Sequence, residues 1–70
     1  DSESTNTYFN RAVMFNNSGQ FDKAIADYTE TIRIDDQHEM AYMNRAEIHV
    51  SQKRFAAAVA DYTQAITINP

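Results

Sequence analysis

Cysteine is absent from the 70-residue chain, and glycine and proline occur only once each. Without cysteine the chain has neither a disulfide framework nor a thiolate metal site, and its redox compartment stays undetermined. A single glycine is too few for a loop that cradles phosphate groups. These absences exclude a disulfide-rich scaffold and a nucleotide-binding loop.

Positive charge is also scarce. Six lysines and arginines face ten acidic residues, giving a formal net charge of -4 and a sequence pI of about 4.8. The basic residues are scattered, and only Lys53 and Arg54 are adjacent, which falls short of a basic patch. Since a phosphate backbone would be repelled, we expect no nucleic-acid partner, and a neutral or cationic partner fits better.

Long apolar runs are missing as well. The longest runs from Phe55 to Ala60 and consists mostly of alanine. It is far shorter than the roughly 20 residues that a membrane-spanning helix needs. We therefore expect no insertion into a membrane.

An internal repeat dominates what the sequence does contain. When the chain is aligned with itself so that Tyr8 lies opposite Tyr42, Asn10 to Ala12 is identical to Asn44 to Ala46. In the same alignment, Ala26 to Thr29 is identical to Ala60 to Thr63. Residues 1–36 and 37–70 are thus predicted to be two units of one structure.

Apolar residues recur at helical spacing within each unit and predict two amphipathic helices per unit. The predicted helices lie near residues 5–17, 21–34, 38–51 and 55–68. Gly19 stands in the first break, where a helix ends, while Lys53 takes that place in the second unit. Between the units, Asp36 and Glu39 are predicted to cap the third helix, because carboxylates are favoured at a helix N-terminus.

A period of about 34 residues with an aromatic, a small residue four positions later and then alanine followed by an aromatic resembles the tetratricopeptide repeat. The second unit carries this pattern as Tyr42, Ala46, Ala58 and Tyr62, with Pro70 as the closing proline. The first unit carries it as Tyr8, Ala12, Ala24 and Tyr28, with Asp36 in place of the proline. The resemblance implies an all-α fold of four helices, in which antiparallel helix-turn-helix repeats stack as a short right-handed α-solenoid.

Two arginines depart from the common pattern of that family. Arg11 and Arg45 stand where leucine is usual. In some members that resemble this chain, such an arginine occurs alongside an Asp-Tyr pair, which is present here as Asp27-Tyr28 and Asp61-Tyr62. We predict charge pairs between these arginines and aspartates, either within a unit or across to the next.

The resemblance also implies function, because members of the family hold a peptide or a partner helix against the concave face formed by the first helix of each unit. Asn10 and Asn44 are the most suggestive residues here, since an asparagine amide both donates and accepts hydrogen bonds and can hold the main chain of a peptide. They could equally be solvated or lock neighbouring helices together. The complete set of groove candidates is Asn6, Phe9, Asn10, Val13, Asn17, Met40, Met43, Asn44, Glu47 and Ser51.

Some members of the family bind acidic C-terminal tails of chaperones through lysine and asparagine. Phe9 and Val13 occupy the corresponding positions here, so this kind of ligand is disfavoured. The leading hypothesis is a protein-interaction module, an adaptor or scaffold segment, with a protein or peptide as its partner.

Enzymatic chemistry finds no support in the sequence. His38 and His49 are the only histidines, and their spacing does not place them side by side on one helical face. Asp35, Asp36 and Glu39 lack the spacing and the glycine of a calcium loop, so capping explains them better. We expect no catalytic residue, no metal and no cofactor.

The last helix has no following helix to cover it, although stacked repeats ordinarily need three or more units and a polar capping helix at the end. We expect Val59, Tyr62 and Ile66 to form an exposed surface there. Two compatible outcomes follow: the chain is a fragment of a longer array, and at high concentration it forms homo-oligomers through this surface. A structural, self-assembling repeat element is thus the alternative function.

Overall fold

The computed structural model describes residues 2–70, and of Ser2 the backbone alone. Within that range the chain forms four helices: α1 (Ser2–Asn17), α2 (Phe21–Ile34), α3 (Glu39–Ser51) and α4 (Phe55–Ile68). The ends of α2 and α4 match the sequence prediction, whereas α1 begins three residues before it and α3 one residue after it. Asp1, the first residue of the predicted first unit, lies outside the described residues.

Each unit is a helical hairpin that closes around small residues. Ala12 of α1 and Ala24 of α2 are completely buried, and so is Ala46 of α3, opposite the nearly buried Ala58 of α4. An alanine at these points lets two helix backbones approach closely without a void. The prediction that these four alanines are packing residues is confirmed.

The two hairpins are joined by packing of α2 against α3. Tyr28 and Ala24 of α2 share one core cluster with Ala12 of α1 and with Ala41 and Ile48 of α3. Tyr28 has no solvent exposure at all, and Phe9 packs on it with ring centroids 5.8 Å apart. Consequently α2 is covered on two sides, whereas α4 packs mainly on α3.

Both hairpin turns end a helix in the same way. Gln20 N–H donates to Phe15 O at 2.9 Å and Gly19 N–H to Asn16 O at 3.1 Å, a Schellman pattern that satisfies the last carbonyls of α1. In the second unit the same two bonds end α3, the amide of Lys53 donating to Val50 O. Gly19 has φ +79° and Lys53 has φ +61°. The second turn therefore has the same left-handed backbone as the first, although lysine takes the place of glycine.

The predicted cap of α3 by Asp36 and Glu39 is wrong. His38 is the N-cap residue, and its Nδ1 accepts a hydrogen bond from the amide of Ala41 at 3.2 Å. Asp36 instead contributes its main-chain carbonyl, which accepts from the hydroxyl of Tyr42. Glu39 lies in the first turn of α3, where its charge favours the helix dipole without closing a capping box.

Within residues 2–70, none of the helices has the length and apolar character needed to cross a membrane.

The left-handed backbone conformation of Lys53 leads to a prediction about the stability of the fold. We expect Lys53→Gly to raise the free energy of unfolding by about 1 kcal/mol, because glycine tolerates a positive φ without the steric cost of a Cβ. Lys53 is exposed, so no packing is lost. The measurement is urea denaturation followed by circular dichroism.

The reverse substitution, Gly19→Ala, is the matched control. A Cβ at this position meets no atom within 4 Å, so only backbone strain is added. We expect a loss of similar size, and equal stability of all three proteins would contradict this account of the turns.

Candidate functional site

A charge pair links the two helices in each unit. Arg11 donates from Nε to Asp27 Oδ2 at 2.6 Å and from Nη2 to Asp27 Oδ1 at 2.9 Å. Arg45 makes the same two bonds to Asp61, both at 2.7 Å. The predicted pairing is confirmed, and it occurs within each unit as a bidentate fork.

The two pairs differ in their surroundings. The Arg11 side chain is 56% exposed, whereas that of Arg45 is 19% exposed. The hydrogen bond with Asp61 is the main reason that the pKa of Arg45 lies above its ordinary value. Both guanidinium groups also lie over tyrosine rings, Arg11 over Tyr8 at 5.6 Å and Arg45 over Tyr42 at 5.9 Å.

The groove candidates fall into two groups by exposure. Phe9 and Val13 are half-buried and pack against the core, and Phe9 also stacks on His38 with centroids 4.7 Å apart. Met43 and Asn44 are half-buried as well. The exposed candidates are Asn6, Asn10, Asn17, Met40, Glu47 and Ser51.

Asn44 lies beside the buried hydroxyl of Tyr28, at the junction of α1, α2 and α3. Burial raises the pKa of Tyr28, and the nearby side chains of Asn44 and Asn16 lower it in part. Neither amide meets hydrogen-bond geometry with that hydroxyl. Asn10, the equivalent of Asn44 in the first unit, is exposed.

A shallow depression of about 160 Å³ brings two of the groove candidates together. Glu47 and Ser51 line it on α3, opposite Asn16 of α1 and Phe21 of α2. The nearly buried Ile48 of α3 lines it as well. Its lining combines the apolar side chains of Phe21 and Ile48 with a carboxylate, a hydroxyl and an amide.

The histidines are separated by the length of α3. His38 caps the start of that helix, while His49 near its end places Nε2 3.8 Å from Asp61 Oδ2. In the part of the chain that is described, no three side chains of the metal-ligating types lie together.

The outer surface of α4 is largely exposed. Val59 and Ile66 are open to solvent, and Tyr62 is half-buried. Phe55, at the start of the same helix, is exposed too. These residues form the α4 face.

One contact between the units was not predicted from the sequence. Arg45 Nη1 donates to Thr29 Oγ1 on α2 at 3.0 Å, so the arginine that pairs with Asp61 also bridges to the first unit. The available signal was that the threonine repeats, as Thr29 and Thr63, directly after the Asp-Tyr pair.

The comparisons with known proteins agree with this geometry. A family model described as the tetratricopeptide repeat matches residues 5–38 and again residues 40–70. A solved structure described as the first TPR of Spaghetti (RPAP3) bound to the HSP90 peptide SRMEEVD is similar, with a TM-score of 0.94 and 28% identity. That similarity covers 99% of this chain and 55% of the other, so the chain spans little more than half of that structure. No curated protein matches the chain.

The similarity confirms the expected all-α fold of stacked helix-turn-helix repeats.

The buried charge pair of the second unit generates a prediction. We expect Asp61→Asn to lower the free energy of unfolding by about 2 kcal/mol, because Arg45 loses its counter-charge in a mostly buried position. Urea denaturation followed by circular dichroism measures the loss.

Glu47→Gln, which removes one negative charge from an exposed position of α3, is the control and should leave stability nearly unchanged. Equal losses in the two variants would contradict a structural role for the pair.

Proposed function

The chain belongs to the tetratricopeptide repeat family, whose members are protein-interaction modules, and on that premise we propose that it holds a peptide or a partner helix against the surface formed by α1 and α3. In this role it is an adaptor or scaffold segment without catalytic chemistry of its own. The partner is a protein or peptide, and no cofactor takes part.

The repeated asparagine carries the proposal. Asn10 and Asn44 occupy the same position in successive units, one exposed and the other half-buried. Each amide offers donors and an acceptor to a peptide main chain, and main-chain recognition needs such groups at regular spacing. Asn44 also lies beside the buried hydroxyl of Tyr28, with which it forms no hydrogen bond, so its amide stays available to a peptide.

Around the asparagines the surface is mixed in character. Met40 is exposed and gives an adaptable apolar contact, while Phe9 and Val13 support the surface from beneath through the core. Glu47 adds a negative charge at the far end. With a net charge of -4, the chain favours a partner segment that is neutral or cationic.

The solved relative is described as bound to an acidic peptide, but we propose a different ligand preference here. Phe9 and Val13 stand where lysine and asparagine are expected for an acidic tail. Both are half-buried and offer no charge to a carboxylate. The peptide SRMEEVD should therefore bind this chain weakly or not at all.

A binding experiment tests the proposal. Peptides selected from a random library against the chain are titrated by calorimetry, with SRMEEVD as a reference. We expect the double variant Asn10→Ala and Asn44→Ala to lose more than about tenfold in affinity, because two hydrogen-bonded anchors are removed.

Gln64→Ala, on exposed α4 outside the proposed groove, is the matched control and should bind as the parent does. Circular dichroism establishes that the double variant remains folded. Unchanged affinity in the folded double variant would overturn the assignment of the groove.

A second candidate function rests on the α4 face. Val59 is 64% exposed and Ile66 is 63% exposed, which is unusual for two large aliphatic residues on one side of a helix. The alternative is that the chain is a structural repeat element that self-associates through this surface.

A further inference from the structure

The two ends of the chain carry the two halves of the interface that joins its units. Inside the chain, one side of α2 packs against one side of α3. The alignment of the first unit with the second makes α1 the equivalent of α3, and α4 the equivalent of α2. The outer sides of α1 and α4 are therefore the equivalents of two surfaces that pack against each other inside the chain.

The exposure of residues along α1 shows which side of this helix is equivalent to the interface side of α3 but remains uncovered. Ile48 of α3 is 2% exposed in the core cluster with Tyr28, whereas Met14, its equivalent on α1, is 69% exposed. Ala41 is completely buried, and its equivalent Thr7 is exposed. We call the exposed side of α1 formed by Thr7, Arg11 and Met14 the α1 face.

The exposure of residues along α4 shows which side of this helix is equivalent to the side of α2 that α3 covers. Ile25 and Ile32 of α2 are half-buried against the core, and their equivalents Val59 and Ile66 are exposed. Tyr28 is fully buried, and its equivalent Tyr62 is only half-buried. The α4 face thus presents the same kind of side chains in the same order as the surface that α3 covers on α2.

A hydrogen bond sets the register of the internal interface. Arg45 uses Nε and Nη2 to hold Asp61, which leaves Nη1 to donate to Thr29 on the neighbouring unit. Arg11 holds Asp27 through the same two nitrogens, and among the described residues its Nη1 has no hydrogen-bond partner. Thr63, the equivalent of Thr29, is exposed on α4.

We propose that the α4 face of one copy of this chain binds the α1 face of a second copy, head to tail. Arg11 of the second copy then donates from Nη1 to Thr63 Oγ1 of the first, and Met14 covers the surface beside Val59 and Ile66. This proposal deepens the second candidate function, on which it rests, and does not depend on a peptide in the groove.

The head-to-tail arrangement determines how the assembly grows. Because the two faces differ, an assembly of any length keeps one free α1 face at one end and one free α4 face at the other. Such a heterologous contact does not close into a symmetric dimer, so stacks lengthen as the protein concentration rises. A symmetric contact between two α4 faces would instead stop at a dimer.

Single charges on either face test the proposal by sedimentation from micromolar to millimolar concentration. Met14→Glu blocks the α1 face and Ile66→Glu blocks the α4 face, and both residues are exposed, so folding is preserved. We expect the parent chain to form species beyond the dimer. Each variant should weaken self-association by more than about tenfold, because a carboxylate is desolvated without a partner.

Gln64→Glu is the matched control, since it adds the same charge to an exposed part of α4 outside the face. It should associate as the parent chain does. An equimolar mixture of Met14→Glu and Ile66→Glu should form a heterodimer and nothing larger, because one intact α4 face meets one intact α1 face.

Three results would overturn the proposal. They are a parent chain that stays monomeric throughout the range, a Met14→Glu variant that associates as the parent does, and a mixture that remains monomeric. Circular dichroism of each variant confirms that it is folded before the comparison is made. The peptide titration with the asparagine variants is independent, so failure of one proposal is distinguishable from failure of the other.

Discussion

The contact between α2 and α3 is the constraint on which the rest of the structure depends. Each hairpin closes around its own alanines, but a two-helix hairpin leaves one apolar side of its second helix uncovered. In the first unit α3 covers that side, burying Tyr28 completely and bringing Arg45 within reach of Thr29. In the second unit nothing among the described residues covers it, and the equivalent side chains are more exposed. The same interface thus accounts for the buried core and for the apolar residues exposed on α4.

The pair of Arg45 and Asp61 also contributes to the contact between units. The fork between Arg45 and Asp61 fixes the guanidinium so that its remaining nitrogen points to the neighbouring unit. A lysine at that position would neutralise the aspartate without offering a rigid third donor. The pair therefore does more than join two helices, because it also defines where a neighbouring helix must lie.

Much of this arrangement is predictable from the sequence, because the internal repeat implies that both units have the same helices and the same pairs of packing residues. The helices follow from the spacing of apolar residues, and the buried alanines and the Arg–Asp pairs follow from the resemblance to the tetratricopeptide repeat. The cap of α3 is not predictable in this way. The amide of Ala41 can donate to His38 only when the ring has the rotamer that brings Nδ1 close and when Nδ1 carries no proton. The contact with Phe9 helps to fix that rotamer. The degree to which each groove candidate is buried is likewise not predictable from the sequence. Whether Phe9 faces a ligand or the core depends on how closely α3 approaches, which no spacing rule encodes.

Chemical-shift mapping of the amides by nuclear magnetic resonance, with a selected peptide added to dilute protein, tests the central claim most directly. The account predicts that the shifted amides follow α1 and α3 and include Asn10 and Asn44, while those of Val59 and Ile66 stay in place. Shifts confined to α4 would contradict it, because the peptide would then occupy the uncovered end of the stack instead of the groove.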